Sequence, residues 1–305
     1  MKNIQLSNTG WEVSNMIMGC MRICQLSKSE AGQLIHTALE LGINFFDHAD
    51  IYGKTECERL FAEAFPMNSD QREKVFIQSK CGIRSGYYDF SKEHILEAVN
   101  GILSRLKTSY LDVLLLHRPD ALMEPDEIAE AFDHLLLCGK VRAFGVSNFN
   151  PMQIELLQRS LPNKLVINQL QFSIAHSLLV DGGIAVNMGI PQSIDRTGSV
   201  LDYCRLQNIT IQAWSPFQKG FFEGVFLGDK TYAELNVVID RLAKKYGVTN
   251  TAIAVAWITR HPANIQVVLG TTNVQRLRDS CAGSDLALLR EEWYEIYKAA
   301  GNTIP

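Results

Sequence analysis

Short apolar runs alternate with longer amphipathic segments from about residue 15 to residue 282. The short runs are predicted strands, and several are apolar almost throughout, as in VLLLH and IQAW, which is typical of parallel strands buried on both faces. The predicted strands comprise residues 15–20, 43–46, 75–79, 111–117, 141–147, 166–169, 209–213 and 265–269. A helical segment follows each strand, so the pattern predicts an α/β fold, a (β/α)8 TIM barrel with right-handed connections.

Capping signals mark where the predicted helices begin and end. Ser27 and Glu30 have the spacing of a capping box, and Asn150 precedes Pro151 at a first helical position. Pro125 opens another such turn. Helices are expected to stop at the glycines of positions 42, 139 and 247.

A doubly wound open sheet is the alternative fold for alternating strands and helices. That fold is expected to have a glycine-rich G-x-G-x-x-G turn after its first strand. The corresponding segment here, MIMGCMRIC, contains one glycine. The barrel is therefore the favoured fold.

Three segments fall outside the strand–helix repeat. Residues 1–14 contain IQL and WEV on either side of SNTG, which predicts a hairpin that covers the barrel. Residues 172–198 are too long for an idle connection, and we expect a loop over the site. Residues 287–305 form a predicted closing helix and tail. With these covers, residues 1–305 are expected to form one domain, since barrels of this kind reach about 250 residues or more as a single unit.

Composition removes several classes of protein. The chain has 305 residues, 47% of them hydrophobic, and a formal charge of -4. The chain has no run of basic residues that would indicate nucleic-acid binding, and it has no apolar stretch long enough to cross a membrane. The 7 cysteines are odd in number and include no C-x-x-C pair, which argues against disulfides and a zinc ribbon. We therefore expect a soluble protein of the reducing cytoplasm.

Polar residues with complementary chemistry follow three successive predicted strands. Strand two ends in FFDHADIYG, with Asp47 and Tyr52, strand three in FIQSK, with Lys80, and strand four in VLLLHRP, with His117. The carboxyl ends of barrel strands meet at one rim, where catalytic groups lie. An acid, a phenol, an amine and an imidazole are therefore expected to converge there. The motif DHAD lacks the second histidine and carboxylate cluster that a metal would need, so no metal site is predicted.

These four groups suit the reduction of a carbonyl. A phenol titrates near pH 10, so Tyr52 needs the positive charge of Lys80 to lower its pKa before it can donate a proton readily. Asp47 can keep Lys80 protonated and oriented. His117 can donate a hydrogen bond to an oxygen that gains negative charge.

On these residues the chain resembles the aldo-keto reductases, which are NADPH-dependent carbonyl reductases on a (β/α)8 barrel. Their Asp, Tyr, Lys and His tetrad matches Asp47, Tyr52, Lys80 and His117. Their GVSNF strand end appears as FGVSNF, their LGTxR-like turn as MGCMR, and their NQ pair as Asn168 and Gln169. FDHADIYG, with His48 where most members have threonine, resembles a bacterial branch of oxidoreductases within the family.

The resemblance implies a nicotinamide cofactor, NADPH rather than NADH. It implies contacts of Ser147, Asn148 and Gln169 with the nicotinamide carboxamide, and a nicotinamide ring stacked on Trp214. Gly270, Thr271 and Thr272 precede a helix whose amides form an anion site, and Arg276 can bind the 2′-phosphate in bidentate fashion. Asp279 and Ser280 replace the glutamate and asparagine that commonly contact adenine, which puts the adenine contacts in doubt. The remaining implied cofactor residues are Met21, Arg22, Asp47, Ser215, Pro216, Phe217, Lys219 as a counter-charge to pyrophosphate, and Gly220.

Three functions remain open at the level of sequence. The favoured one is an NADPH-dependent oxidoreductase that reduces a small-molecule aldehyde or ketone, as a monomer or weak oligomer. The alternatives are an NADPH-binding sensor barrel with little turnover, and a barrel lyase or isomerase that binds no nicotinamide. The substrate does not follow from the sequence, although Tyr87 and Tyr88 suggest an aromatic wall. Arg118 either covers the mouth of the pocket or faces solvent.

Overall fold

A closed barrel of eight parallel strands forms the centre of the computed structural model, which describes residues 1–304. A two-stranded sheet of β1 (Asn3–Leu6) and β2 (Trp11–Ser14) precedes the barrel. The barrel strands are β3 (Met16–Gly19), β4 (Phe45–Asp47), β5 (Phe76–Cys81), β6 (Leu111–Leu116), β7 (Val141–Ser147), β8 (Ile167–Gln171), β9 (Thr210–Trp214) and β10 (Gln266–Leu269). Each pairs with the next along the chain, and β10 closes against β3 with Val267 opposite Met16. The predicted TIM barrel is confirmed.

Helices connect the strands and surround the barrel. They are α1 (Lys28–Glu40), α2 (Glu56–Ala64), α3 (Ser69–Glu73), α4 (Lys92–Leu106), α5 (Pro125–Leu137), α6 (Pro151–Gln158), α7 (Leu178–Ile184), α8 (Val200–Leu206), α9 (Ala233–Tyr246), α10 (Asn250–Thr259), α11 (Val274–Cys281) and α12 (Arg290–Ala299). The predicted capping box of Ser27 and Glu30 is present at α1, and Asn150 caps α6. No helix in residues 1–304 is long and apolar enough to cross a membrane.

The predicted hairpin at residues 1–14 is confirmed, and it covers the end of the barrel where the strands begin. The backbone amide of Ser14 donates to Asn44 Oδ1 at 2.8 Å, just before β4, and that of Ser7 to Thr210 Oγ1 at 3.0 Å, at the start of β9. Apolar side chains of the hairpin pack with those of the barrel interior, so this end is closed by hydrophobic contact. The hairpin does not cover the opposite end of the barrel, where the strands finish and where catalytic groups are expected.

Residues 172–198 differ from the predicted loop, because they contain α7 and a short 3-10 helix at Pro191–Ser193. Two side chains of the segment bond to α12: the Tyr297 hydroxyl donates to Asp181 at 2.9 Å and accepts from Gln192 Nε2 at 2.7 Å. Its first residues approach the carboxyl ends of the strands, where Ser173 Oγ donates to the Gln218 carbonyl at 2.6 Å. The predicted loop therefore contains a short helix, which is held by contacts on the flank of the barrel.

The closing helix α12 has the predicted position and is tied to α10 by a tryptophan pair. The rings of Trp257 and Trp293 stack with centroids 4.8 Å apart and planes 7° from parallel. Each indole donates to the backbone carbonyl of the other residue, at 3.1 and 2.9 Å. Both rings are buried, so their N–H groups need these partners.

Candidate active site

Asp47, Lys80 and Tyr52 form an unbroken series of contacts at the carboxyl end of the barrel. Parallel pairing places Asp47 at the end of β4 beside Gln78 of β5, two positions before Lys80. The Lys80 ammonium lies 2.8 Å from Asp47 Oδ2, 2.8 Å from the His48 carbonyl and 3.1 Å from the Tyr52 hydroxyl. Lys80 is fully buried and Asp47 nearly so. Asp47 Oδ1 is also 2.7 Å from the ammonium, which is therefore surrounded by oxygen atoms of three residues and has no contact with solvent.

A tight turn after β4 aims Tyr52 at this ammonium. The turn is a short 3-10 helix, Tyr52–Thr55, in which Gly53, Lys54 and Thr55 all have positive φ. Gly53 is required here, because a Cβ at that position would collide with the sulfur atoms of Cys24 and Cys57. The positive φ values of Lys54 and Thr55 are a local backbone strain that accompanies the placement of the Tyr52 side chain. Strain of this kind is common at functional sites.

His117 follows β6 and faces Tyr52 across the pocket. Their rings meet edge to face with centroids 5.8 Å apart. Nδ1 of His117 is buried and has no hydrogen-bond partner in residues 1–304. Burial, with the nearby charges of Lys80 and Arg118, holds the pKa of His117 well below its usual range. The imidazole is therefore neutral at neutral pH, with Nε2 as the nitrogen available to a ligand.

The pKa of Tyr52 differs from the expectation based on sequence. Burial raises it above the usual value, and the charge of Lys80 only partly lowers it. Burial also opposes the charge on Lys80, but Asp47 and Tyr52 outweigh that effect and the pKa of Lys80 is raised. The predicted net lowering of the Tyr52 pKa was wrong. Tyr52 stays protonated, and Lys80 stays positively charged, throughout the neutral range.

A chain of buried glutamine amides lies behind Asp47, and among its members Gln169 alone was named from the sequence. Nε2 of Gln78 and of Gln169 donate to Asp47 Oδ1 at 2.6 and 3.0 Å, and both also donate to Gln212 Oε1 at 2.9 Å. Gln212 Nε2 donates to Gln266 Oε1 at 3.1 Å, and Gln266 Nε2 to the Ser14 carbonyl at 2.8 Å. The chain runs from the site to the hairpin. Its signal in the sequence was a glutamine inside apolar strand runs, as in FIQSK and TIQAW.

His48, adjacent to Asp47, is a packing residue in its surroundings. Its ring is fully buried and lies edge to face against Phe61, with centroids 4.6 Å apart. Neither ring nitrogen has a hydrogen-bond partner in the part of the chain described. Burial lowers the pKa of His48 to about 3, so the ring is neutral. Only its backbone carbonyl reaches Lys80.

The residues expected around a nicotinamide carboxamide lie together, and most of them already bond to one another. Ser147 Oγ donates to the Gln169 carbonyl at 3.0 Å and accepts from Asn148 Nδ2 at 2.8 Å. Asn148 Oδ1 accepts from the Trp214 indole at 3.1 Å, with Asn148 at a φ of 63°. These bonds fix the Trp214 ring at the rim. A ligand that used Ser147 or Asn148 would share or replace them.

The loop after β9 contains Ser215, Pro216, Phe217, Lys219 and Gly220. Lys219 is paired with Asp229 at 2.6 Å, so its charge is already balanced. Its predicted contact with pyrophosphate would require that pair to open. Gly220 accepts a hydrogen bond from Gln171 Nε2 at 2.9 Å through its carbonyl, which joins the loop to β8.

The residues after β10 are arranged as the start of a helix. Asn273 caps α11 by accepting from the Arg276 amide at 2.9 Å, and Thr271 Oγ1 accepts from the Asn273 amide at 3.1 Å. The Arg276 side chain is exposed and has no ion-pair partner in residues 1–304. Asp279 accepts from Gln275, and Ser280 is buried and donates to a backbone carbonyl.

Two further predicted cofactor residues, Met21 and Arg22, lie in the turn after β3. Nε of Arg22 donates to the Gly270 carbonyl at 3.2 Å, which joins this turn to the end of β10. The Met21 carbonyl is 3.2 Å from the sulfur of Cys57. The predicted site residues thus border one continuous rim that passes from β3 around to β10.

Known proteins resemble this chain over its whole length. The aldo/keto reductase family model matches residues 15–300. The chain is 34% identical to oxidoreductase YdhF of Escherichia coli, over 100% of this chain and 99% of that protein. It is also 34% identical to a 6-dehydroglucose reductase of Agrobacterium fabrum, with 98% of each covered.

Two solved structures share the fold. A thermostable aldo-keto reductase crystallised with epalrestat superposes with a TM-score of 0.79 at 23% identity, over 98% of this chain and 100% of that one. A Bombyx mori aldo-keto reductase in complex with NADP gives a TM-score of 0.74 at 22% identity, over 98% and 92%. With the match to the family model, these findings establish that the chain belongs to the aldo/keto reductase family of oxidoreductases.

Proposed function

We propose that this protein is an NADPH-dependent reductase of small aldehydes or ketones, with Tyr52 as the proton donor. The observation that carries the proposal is the buried series from Asp47 through Lys80 to the Tyr52 hydroxyl, with contacts of 2.8 and 3.1 Å. It supplies a protonated phenol beside a fixed positive charge. His117 faces the same point from β6.

Each residue has one task in this mechanism. Bound NADPH supplies a hydride for the carbonyl carbon. Tyr52 donates its proton to the carbonyl oxygen, and the Lys80 ammonium stabilises the tyrosinate that remains. His117 donates a hydrogen bond from Nε2 to the same oxygen. Asp47, fixed by the amides of Gln78 and Gln169, holds Lys80 in place.

The residues at the rim fit a phosphorylated dinucleotide. Trp214 offers a partly exposed indole face, oriented by its bond to Asn148, for a nicotinamide ring. At the other end, the amides that open α11 and the exposed guanidinium of Arg276 suit the 2′-phosphate that distinguishes NADPH from NADH. We assign Gly270, Thr271, Thr272, Arg22 and the loop from Ser215 to Gly220 to the pyrophosphate and ribose portion of the same ligand.

The test is single-turnover oxidation of bound NADPH by 4-nitrobenzaldehyde, followed in a stopped-flow instrument. We expect the wild-type chain to oxidise NADPH, and Tyr52→Phe to lower the rate by about 100-fold or more, since a positioned general acid contributes about that factor. Tyr294→Phe is the matched control, because Tyr294 lies on α12, outside the contact series. It should keep the wild-type rate.

Other outcomes would contradict the proposal in distinguishable ways. Tight NADPH binding with no oxidation by a broad panel of carbonyl compounds would favour the sensor. Failure to bind NADPH, measured by fluorescence titration, would exclude both the reductase and the sensor. A Tyr52→Phe rate equal to that of wild type would remove Tyr52 as the proton donor.

A further inference from the structure

Arg118 occupies the position directly after His117, and its guanidinium lies over two aromatic rings of the rim. The guanidinium carbon is 5.7 Å from the ring centroid of Trp214 and 5.5 Å from that of Phe221. Phe221 in turn meets Trp214 edge to face at 6.1 Å. The cation is thus held beside the carbonyl-binding groups and is partly withdrawn from solvent.

The charge of Arg118 has no counter-ion in residues 1–304. Three other cations near the rim are paired: Lys80 with Asp47, Lys219 with Asp229, and Arg84 with Asp89. Arg22 and Arg276 are exposed, so water solvates their charges, whereas Arg118 is half-buried. His117 is neutral, so it neither balances nor shares this charge. A guanidinium that is half-buried without an anion loses hydration and gains no ion pair in return. A ligand with a negative group would supply what the protein lacks.

We propose that Arg118 binds a carboxylate of the substrate, so that the preferred substrates are small oxo acids whose aldehyde or ketone group lies at Tyr52 and His117. This inference rests on the proposed reductase function. The guanidinium is always charged and binds a carboxylate through two parallel hydrogen bonds. Adjacent positions in the chain then hold the two ends of one small molecule, the carbonyl at His117 and the carboxylate at Arg118. The aromatic rings of Trp214 and Phe221 restrict the guanidinium to this part of the rim.

The experiment compares benzaldehyde with 3- and 4-carboxybenzaldehyde, which add the carboxylate at two distances from the aldehyde. For the wild-type protein we expect kcat/KM for at least one of the acids to exceed that for benzaldehyde by about 10- to 100-fold, mainly through a lower KM. In Arg118→Leu this ratio should fall to about one. Arg118→Lys should retain part of it, because lysine keeps the charge and loses the bidentate geometry.

Arg84→Leu is the matched control. Arg84 also lies near an aromatic ring, 5.9 Å from the centroid of Tyr87, but Asp89 lies 3.8 Å from its guanidinium. Its removal should leave the preference for the acids intact. Equal loss of preference in both variants would mean that the general positive field of the rim, and not Arg118, selects the substrate.

A binding measurement separates this inference from the proposed function. Calorimetric titration of the NADP⁺-loaded protein with 4-(hydroxymethyl)benzoate and with benzyl alcohol needs no turnover, and the acid should bind about 10-fold or more tightly in the wild type only. Reduction of benzaldehyde without preference for any acid would overturn the role of Arg118 and leave the reductase standing. A large loss of NADPH affinity in Arg118→Leu would assign Arg118 to the cofactor and also overturn the inference.

Discussion

Asp50 is a buried carboxyl group in the turn between Asp47 and Tyr52. Its backbone amide donates to the Lys80 carbonyl at 3.1 Å, while its Oδ1 is buried and has no partner in residues 1–304. Burial, with repulsion from Glu58, raises the pKa of Asp50 to about 7. The Asp50 carboxyl is therefore mostly neutral in acid and becomes charged near neutral pH.

The raised pKa of Asp50 makes the free energy of unfolding depend on pH. Since the pKa is raised in the folded state, the contribution of Asp50 to the free energy of unfolding is full below about pH 4 and falls as the pH rises to about 7. We expect Asp50→Asn to be more stable than wild type at pH 8, by on the order of 2 kcal/mol, and to lose this advantage toward pH 4. Urea unfolding at several pH values measures it.

The control for this prediction is Asp70→Asn, because Asp70 lies exposed on α3. That variant should follow the wild-type curve at every pH. Unfolding curves of Asp50→Asn that keep a constant offset from wild type between pH 4 and pH 8 would contradict the assigned pKa.

The sequence predicted which residues meet at the site, but not the pKa values that their surroundings produce. Residue types and their places after strands were enough to bring Asp47, Tyr52, Lys80 and His117 to one rim. They did not reveal how completely the site is enclosed, and enclosure decides the sign of the Tyr52 pKa shift. The pairing of Lys219 with Asp229 was unforeseen for a similar reason, since the fold of the loop decides it.

At the scale of elements, strand register explains why glutamines from separate strands meet. Gln169 of β8 lies opposite Gln212 of β9, and Gln212 lies opposite Gln266 of β10. On the other side of the barrel, Asp47 of β4 lies opposite Gln78 of β5. One row of polar side chains therefore crosses the interior above its apolar base. Apolar runs in the sequence predicted the strands well, but pairing across strands depends on register, which the runs do not specify.

The glutamine chain predicts separate effects on catalysis and on stability. Gln78→Leu removes a donor to Asp47, so we expect kcat to fall by about 10-fold as the Asp47–Lys80 pair loses its fixed geometry. Gln266→Leu breaks the same chain far from Asp47 and should affect kcat much less. Both should lower the free energy of unfolding by about 1–3 kcal/mol. Equal losses of kcat would mean that Gln78 acts only through stability.

The segment with α7 shows what element prediction misses. The helix has the sequence LLVDGGI, in which two glycines weaken any local preference for a helix. Its partners, Tyr297 and Asn302, come from the far end of the chain. A helix that depends on such distant contacts cannot be recognised from its own residues.

At the scale of the whole molecule, α12 fastens one flank of the barrel. Its Trp293 stacks on Trp257 of α10, its Glu292 bonds to Lys245 and Tyr246, and its Tyr297 reaches Asp181 of α7. The chain end, α10 and the segment from α7 to Ser193 thus form one layer. That layer lies outside the contact series of the tetrad.

Trp293→Ala tests whether this layer is cooperative. We expect the free energy of unfolding to fall by about 3–5 kcal/mol, because a large buried ring and its indole bond to the Trp257 carbonyl are lost. Hydrogen exchange should speed up in residues 178–193 as well as in α12. Lys298→Ala, at an exposed position of the same helix, should leave both measurements near wild type. Unchanged exchange in residues 178–193 would show that the segment holds its place without α12.

The four tryptophans have very different environments. Trp257 and Trp293 are stacked and buried, and Trp11 lies on the hairpin at the closed end of the barrel. Trp214 alone of the four lies at the rim, between Asn148 and Arg118. The molecule therefore contains its own optical reporter: changes in emission on titration with a ligand for the rim should arise from Trp214, and a Trp214→Phe variant should lose them while keeping the emission of the other three.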